Sequence, residues 1–299
     1  MTGRVSTATS VRQFSIRGAL VDYVTLLKPG IIALVLVSTL AGMYIAERGL
    51  PPAGLIFWAL LGTAFSTAGA AALNNYLDRD IDQIMKRTSG RPLPAGCITP
   101  RMALICGLAL SVASAAVLVR HVNVPAALYS TAALLIYVIP YTLLTKRKTP
   151  LATFVGGVGG ALPPVIGYVA VKPELDVFAV TLFMIIFAWQ HPHFWSLALK
   201  YREEYASANV MNLPVKRGID ETKKQIVVWA GVLALVSALP YIVGMAGSLY
   251  LVSAIAAGMA FLIMSVWFLL SQRKVAMSLF FFSIVHLPLL YCLIIVDLL

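Results

Sequence analysis

Charge is scarce in this chain, and acid is scarcer still. Of 299 residues only 12% are charged, and just twelve are Asp or Glu, against about a quarter charged in ordinary soluble domains. That shortage, beside 60% hydrophobic residues, excludes a water-soluble globular protein. Cysteine is nearly absent: Cys97, Cys106 and Cys292 have neither metal-ligand spacing nor the pairing of a disulfide framework. Cys106 and Cys292 read as small apolar residues inside apolar runs. The chain also has no glycine-rich loop ending in Lys-Ser/Thr, and no Ser-His-Asp or Cys-His set for nucleophilic catalysis. No apolar core with a small-residue cleavage site precedes Asp22, so no cleavable signal peptide is expected. Residues 1–21 hold Arg4, Arg12 and Arg17 and no acid, and read as a basic cytoplasmic tail, although the pattern is similar to an organellar transit peptide.

What is present is a series of uncharged runs long enough to cross a bilayer core of about 30 Å. Breaking them at charges, Gly and Pro predicts an all-α polytopic membrane protein with nine helices. They fall near Leu20–Ala46, Pro52–Leu77, Met102–Val119, Val122–Leu144, Pro150–Val171, Val177–Leu199, Ile226–Val243, Ser248–Leu270 and Val275–Val296. Residues 22–299 form one transmembrane domain, with charged cap loops near 78–101 and 200–224.

The net charge of +11 could suggest nucleic acid, but position argues otherwise. Lys and Arg number 4, 5, 3, 6 and 2 in the N-terminal segment and each second loop after it, while the opposite loops hold only Arg48, Arg120 and Lys172. By the positive-inside rule this places the N-terminus and both cap loops in the cytoplasm or its equivalent. An odd number of spans then puts Leu299 on the far side.

The first cap opens with Asn74, Asp78 and Asp82 at intervals of four. If the helix continues past Leu77 they share one face, and Asp80 points elsewhere. An amide oxygen and two carboxylates on one stripe suit Mg²⁺, which takes one or two carboxylates together with water and phosphate oxygens. Lys86, Arg87 and Arg91 follow, placed to contact the same phosphates. The plainer reading is a solvated helix end with charge pairs, but Asn74 belongs to the apolar side, where an unpaired amide is costly.

The second cluster, "WQHPHFWSLALKYREEYASANVMNLPV", spans Trp189–Val215. It puts His191 and His193 inside a span, followed by Lys200, Arg202, Glu203 and Glu204. Each histidine is either a functional group or a hydrogen-bonded interior residue. His286, isolated in helix nine, reads as the latter. "TPLATFVGGVGGALPPVIGY" (Thr149–Tyr168) packs five glycines and three prolines into helix five. They allow close helix packing or shape a cavity for a flat ligand, and Pro163–Pro164 should break the helix.

Asn74-x3-Asp78-x3-Asp82 resembles the first aspartate-rich motif of the UbiA superfamily of intramembrane prenyltransferases. "DYVTLLKPGI", "DRDIDQIMKRTSGRPLPAG", "LLTKRKTP", "GGVGGALPPVIGY" and the His191–His193 stretch are similar to its heme branch. The resemblance runs from Asp22 to helix seven and is weak beyond. It implies a UbiA-like bundle of nine helices around a lipid-facing cavity, in the plasma (inner) membrane or the mitochondrial inner membrane. It implies transfer of farnesyl from farnesyl diphosphate to a vinyl group of heme b, with addition of water, giving heme O. Heme b is then a substrate, Mg²⁺ the cofactor, and proteins of the heme pathway or of terminal-oxidase assembly the expected neighbours.

Carried over by motif, Asn74, Asp78 and Asp82 hold metal and diphosphate, with Arg87, Arg91, Lys146 and Arg147 as basic contacts and His193 from "PHF" as a substrate contact. Lys86, Lys200 and Arg202 join the substrate set. Glu204 stands where the heme branch usually has a single Asp before Tyr, and the superfamily's second aspartate pair is replaced by Lys200 and Glu204, which puts a second metal in doubt. Two other activities fit parts of the pattern. One is prenylation of a quinone precursor. The other is transport, for which the acids should lie near the midplane between repeats, whereas here they sit at one surface.

Overall fold

The computed structural model describes residues 16–271 and 276–298. The first fifteen residues of the basic tail, Arg273, Lys274 and Val275 of the last basic loop, and Leu299 lie outside the described residues. Among those described there is no strand, and nine helical spans are long and apolar enough to cross a membrane. Leu34, Val112, Val252, Ile263 and many other large apolar side chains point outward. In water such a surface would be an aggregation liability; in a bilayer it is the solvent-facing side.

The first predicted span is two helices, not one. α1 (Ile16–Leu27) ends at Lys28, and α2 (Pro29–Glu47) begins at the proline. Lys28 adopts a left-handed conformation with φ 57°. A residue before proline is pushed out of the α region, and the left-handed alternative costs about 1–3 kcal/mol in a residue with a side chain. α3 (Ala53–Ile84) runs unbroken for 32 residues. α4 (Pro100–His121) starts at Thr99, whose hydroxyl accepts from Met102 N–H.

α5 (Val124–Ile136) passes directly into a π-helix, Tyr137–Thr145, around Pro140. Proline cannot donate in an α ladder, and the wider i→i+5 pattern appears in the Lys146 N–H bond to the Tyr141 carbonyl. α6 (Ala152–Gly160) and α7 (Pro163–Val171) make the fifth span, broken at Pro163–Pro164 as the sequence predicts. α8 (Val177–Lys200), α9 (Arg202–Ser207) and α10 (Leu213–Lys216) carry the second cap. α11 (Gly218–Val236) begins eight residues earlier than expected and joins the short α12 (Leu239–Ile242). α13 (Ser248–Leu270) and α14 (Ala276–Leu298) close the bundle.

Glycine sets the tightest helix crossing. α2 lies against α7 so closely that a Cβ on Gly42 would sit 2.0 Å from the Pro164 carbonyl oxygen, and one on Gly167 1.8 Å from that of Thr39. This is the small-residue packing of membrane helices, in which backbone approach replaces a hydrophobic driving force. The main core gathers around it, from Met43 and Ile45 through Val165, Ile166 and Tyr168 to Leu182 and Ile185.

Gly167→Ala should therefore lower stability by about 1–3 kcal/mol or more. Gly231→Ala, on a helix position with open space, should be neutral or slightly stabilising. Thermal unfolding of both variants in one detergent checks this; equal midpoints would remove the close-packing account.

Candidate functional site

α3 continues about two turns past Leu77, and this extension creates the polar face. Asn74, Asp78 and Asp82 are 3%, 0% and 1% exposed, so one stripe of the helix buries an amide and two carboxylates. Asn74 Nδ2 donates to Asp78 Oδ2 at 2.7 Å and to Thr142 Oγ1 at 3.1 Å. Asp80 turns the other way, exposed, and takes a two-pronged contact from Arg147 at 2.6 and 2.7 Å.

Two lysines from distant segments complete the face. Lys146, immediately after the π-helix, brings Nζ to 2.5 Å from Asp78 Oδ2. The wider helix also places Thr142 against Asn74, its hydroxyl donating back to the Tyr137 carbonyl. Short π segments are common at functional sites. Lys28, at the left-handed break, donates from Nζ to Asn74 Oδ1 at 2.7 Å. Burial would lower Lys146, but Asp78 beside it holds it above the ordinary lysine range. Lys28 has no carboxylate in hydrogen-bond contact; burial, helped by Arg91 and Lys146, pushes it down to about 7, although Asp78 and Asp82 act against this.

The loop after α3 folds back over the face. Arg91 Nη1 reaches Asp82 Oδ2 at 2.6 Å, and Thr88 Oγ1 donates to the Asp82 carbonyl. Asn75, behind the stripe, ties α3 to α1 by donating to the Leu26 carbonyl. The immediate set is Arg91, Lys146 and Arg147 against Asp78, Asp80 and Asp82, with Lys28 adding part of a positive charge near neutral pH. An electropositive, partly buried rim of this kind favours an anion.

Other candidate residues gather elsewhere. Arg87 turns from the acids toward α9: its backbone N–H donates to Glu204 Oε2 at 3.0 Å, and its guanidinium donates to the Tyr205 hydroxyl. That guanidinium also lies 4.9 Å from the Tyr201 ring centre. Below this clip, Ile81 and Met85 pack on Ala208 and Val210, so the two cap loops touch. Glu204 thus fastens the caps together. Lys86 is exposed, Lys200 lies over the Tyr201 ring, and Arg202 donates to the Pro214 carbonyl. His193 sits between the Trp189 and Phe280 rings, its Nδ1 2.7 Å from Ser283 Oγ. His191 stacks on Trp229 at 3.9 Å, with Nδ1 on the Phe187 carbonyl. His286 departs from the sequence expectation: it is buried, but neither ring nitrogen has a hydrogen-bond partner.

The stripe also fits a divalent cation. Asp78 Oδ1 is buried with no hydrogen-bond partner, and Arg147 Nη2 stands 3.9 Å away. Among the described residues no group of three or more Asp, Glu, His or Cys converges into an all-protein cage. One or two carboxylates with room for water and phosphate oxygens is the donor set magnesium uses. Sequence reasoning missed Lys28, Asn75 and Thr142. A lysine directly before Pro-Gly in an apolar run was the available signal for the first.

A buried polar face with basic residues gathered on it, at one end of a bundle with nine membrane-length spans among the described residues, is the frame of an intramembrane enzyme. The sequence profile of the UbiA prenyltransferase family matches residues 35–287, and the chain belongs to that family. It is 46% identical over 276 residues to the protoheme IX farnesyltransferase of Aquifex aeolicus, covering 92% of this chain and 94% of the relative. It is 41% identical to the protoheme IX farnesyltransferase of Nitrosococcus oceani, covering 94% and 96%. In fold it is similar to a digeranylgeranylglyceryl phosphate synthase, with TM-score 0.78 at 20% identity over 94% of this chain and 99% of the other. A UbiA homolog from Archaeoglobus fulgidus, described as bound to DMAPP and Mg²⁺, superposes with TM-score 0.64 at 18% identity, over 91% of this chain and 99% of the other.

Lys146→Met leaves Asp78 buried without its close partner and should destabilise by about 3–5 kcal/mol. Arg147→Met loses a largely exposed pair and should cost about 1 kcal/mol or less. Adding Asp78→Asn to Lys146→Met should recover most of the loss. A double-mutant cycle read by thermal unfolding tests this, and additive losses would show that the two side chains are not coupled.

Proposed function

We propose that the protein transfers the farnesyl group of farnesyl diphosphate to a vinyl group of heme b, with addition of water, giving heme O and diphosphate. The observation that carries the reading is the buried Asn74–Asp78–Asp82 face, ringed by Lys28, Arg91, Lys146 and Arg147 at the end of an apolar bundle. Identity of 46% and 41% to two protoheme IX farnesyltransferases, each over more than nine-tenths of both chains, supports heme as the acceptor.

The chemistry asks little covalent work of the protein. The bond between farnesyl C1 and the diphosphate oxygen breaks, and the electron pair leaves with the diphosphate. Lys28, Lys146 and Arg91 meet that developing charge with donors already in place, and fixed donors in a partly dry site are the main source of such stabilisation. Asp78 and Asp82 hold Lys146 and Arg91 in position; with Asn74 they would also hold Mg²⁺. When bound, Mg²⁺ supplies further positive charge to the leaving group. The description of an Mg²⁺-bound fold neighbour supports that assignment.

Tyr137 and Tyr141, with ring centres 5.4 Å apart on the turn that carries Thr142, present aromatic faces near the polar stripe. Such faces stabilise a cation. The vinyl π pair then attacks the allylic carbon, water adds to the resulting cation, and its proton passes to solvent. Arg87, Glu204 and Tyr205 act as the clip that keeps the caps closed over the site. His193 would meet the acceptor from the aromatic cluster. Lys86, Lys200 and Arg202 form an outer basic rim that attracts the diphosphate. The excess of basic residues on one side supports a cytoplasmic face for this site and for the N-terminus, in a plasma (inner) membrane or its mitochondrial equivalent.

Membranes carrying the protein, incubated with heme b, farnesyl diphosphate and Mg²⁺, should yield heme heavier by farnesyl plus water, and EDTA should abolish the gain. Asp78→Ala should reduce turnover by about 10²-fold or more per folded molecule, with folding followed separately because the same change leaves Lys146 without its partner. Full activity of that variant would overturn the site assignment. Transfer to a hydroxybenzoate and not to heme would overturn the acceptor.

A further inference from the structure

Asp80 belongs to the first cap but lies off the buried stripe, and neither metal binding nor charge stabilisation draws on it. Its side chain keeps 61% of its exposure, and that of its partner Arg147 keeps 36%. An exposed ion pair contributes little to stability, so the two-pronged geometry of this one calls for another reason.

The neighbouring carboxylate supplies it. Asp78 Oδ2 accepts from both Asn74 Nδ2 and Lys146 Nζ, whereas Asp78 Oδ1 is buried without a donor. Arg147 Nη2 stands 3.9 Å from that Oδ1, too far for a hydrogen bond. A guanidinium so close to an unpaired carboxylate oxygen would ordinarily close the gap, because charge-assisted bonds are strong and an orphaned buried oxygen is costly. Here its hydrogens are committed elsewhere. Nη2 donates to Asp80 Oδ1 at 2.7 Å and to the Leu77 carbonyl at 2.9 Å, which uses both hydrogens it has. Nη1 donates to Asp80 Oδ2 at 2.6 Å. Arg79, beside Asp80 in the chain, bonds the Tyr76 carbonyl and lies over the Tyr76 ring, so it does not compete.

Helix geometry makes the arrangement possible. Residues two apart on an α-helix are separated by about 200° around its axis, so Asp78 and Asp80 face apart. Arg147 reaches the edge of α3 between them, and its fork can serve only one. Lys146 and Arg147 are consecutive, yet the first pairs inward with Asp78 and the second outward with Asp80.

We propose that Asp80 is a positioning residue for the metal: it holds the Arg147 fork outward, so that Asp78 Oδ1 stays available to Mg²⁺. Without Asp80, Arg147 turns onto Oδ1 and competes with the ion for the same lone pairs. The inference rests on the reading that Asp78 holds Mg²⁺. It goes beyond that reading by giving a task to an acid that touches neither metal nor diphosphate. Arg147 then lends its charge to the site while its hydrogens are kept off the metal's ligand.

The test uses the full chain in phosphatidylcholine nanodiscs, titrated with Mn²⁺ in place of Mg²⁺ at a fixed concentration of inorganic diphosphate. Bound ion is read by electron paramagnetic resonance against nanodiscs without protein. Asp80→Ala should weaken Mn²⁺ binding by about tenfold or more, as the loss of an outer-sphere partner does. In an Arg147→Met background the same change should alter affinity by no more than about twofold, the margin of independent sites, because the competitor is gone. An equal loss in both backgrounds would mean that Asp80 acts through its own charge, and would overturn the inference. Unchanged or tighter binding in Asp80→Ala would overturn it as well.

The same titration separates this inference from the metal assignment beneath it. Bound Mn²⁺ in wild type with no response to Asp80→Ala leaves the metal reading standing and removes the task of Asp80. No bound Mn²⁺ in wild type removes both. None of these outcomes depends on which acceptor takes the farnesyl group.

Discussion

Asp78 is a carboxylate with no exposed surface at the end of an apolar bundle, and Lys146 is the charge that lets it stay there. A buried acid without a partner is among the most destabilising groups a fold can contain. Much of the local architecture serves this contact. α3 must run past the membrane-length segment to present Asp78, and the chain after α5 must widen into a π-helix to deliver Lys146 and Thr142 to the same face. Lys28 reaches Asn74 from a strained left-handed turn, so three separate segments converge on one polar stripe. Convergence of this cost is hard to account for by stability, since an apolar replacement of a buried pair is often neutral or better. The proposed diphosphate site accounts for it.

The stripe itself was legible in the sequence because it is local. Spacing of four keeps Asn74, Asp78 and Asp82 on one face of any α-helix, and the same period sends Asp80 to the opposite side, where it meets Arg147. The break at Pro163–Pro164 was legible for a similar reason, since proline acts on its own neighbourhood. Lys28 was hidden because hydropathy reads Leu20–Ala46 as one run and cannot say that the chain turns at a lysine. Its partner is 46 residues away. The π-helix has no period that distinguishes it from a continued α-helix in nine residues. Glu204 shows the limit from the other side: its type and motif position suggested a catalytic residue, but its hydrogen-bond partner, Arg87 N–H, lies on a loop 117 residues away.

The span histidines carry the same lesson. All are imidazoles in apolar helices, and sequence treats them alike. His191 is held in an aromatic box with Trp229, Phe154 and Phe187, His193 is stacked and bonded to Ser283, and His286 is left unbonded. What separates them is the face of the neighbouring helix, which no local pattern encodes. An expectation of a satisfied interior histidine holds for two of the three by at least one nitrogen, and fails for His286.

The depth at which polar groups sit has a chemical consequence. The proposed reaction needs water kept from one cation and admitted to the next. In that proposal the allylic cation forms at the carbon leaving the diphosphate, beside the buried Asp78 and the half-buried tyrosines of the π-helix. The second cation forms one bond further out, on the porphyrin substituent, and must meet water before it meets a base. Arg91, whose side chain keeps 28% of its exposure while its partner Asp82 keeps 2%, marks where the polar face opens to the aqueous side. A site at the bilayer midplane would protect both cations, and one in solution would protect neither. A polar stripe that begins inside the bundle and ends under a cap loop provides both environments within two turns of one helix, which is why α3 crosses the boundary and does not stop at it.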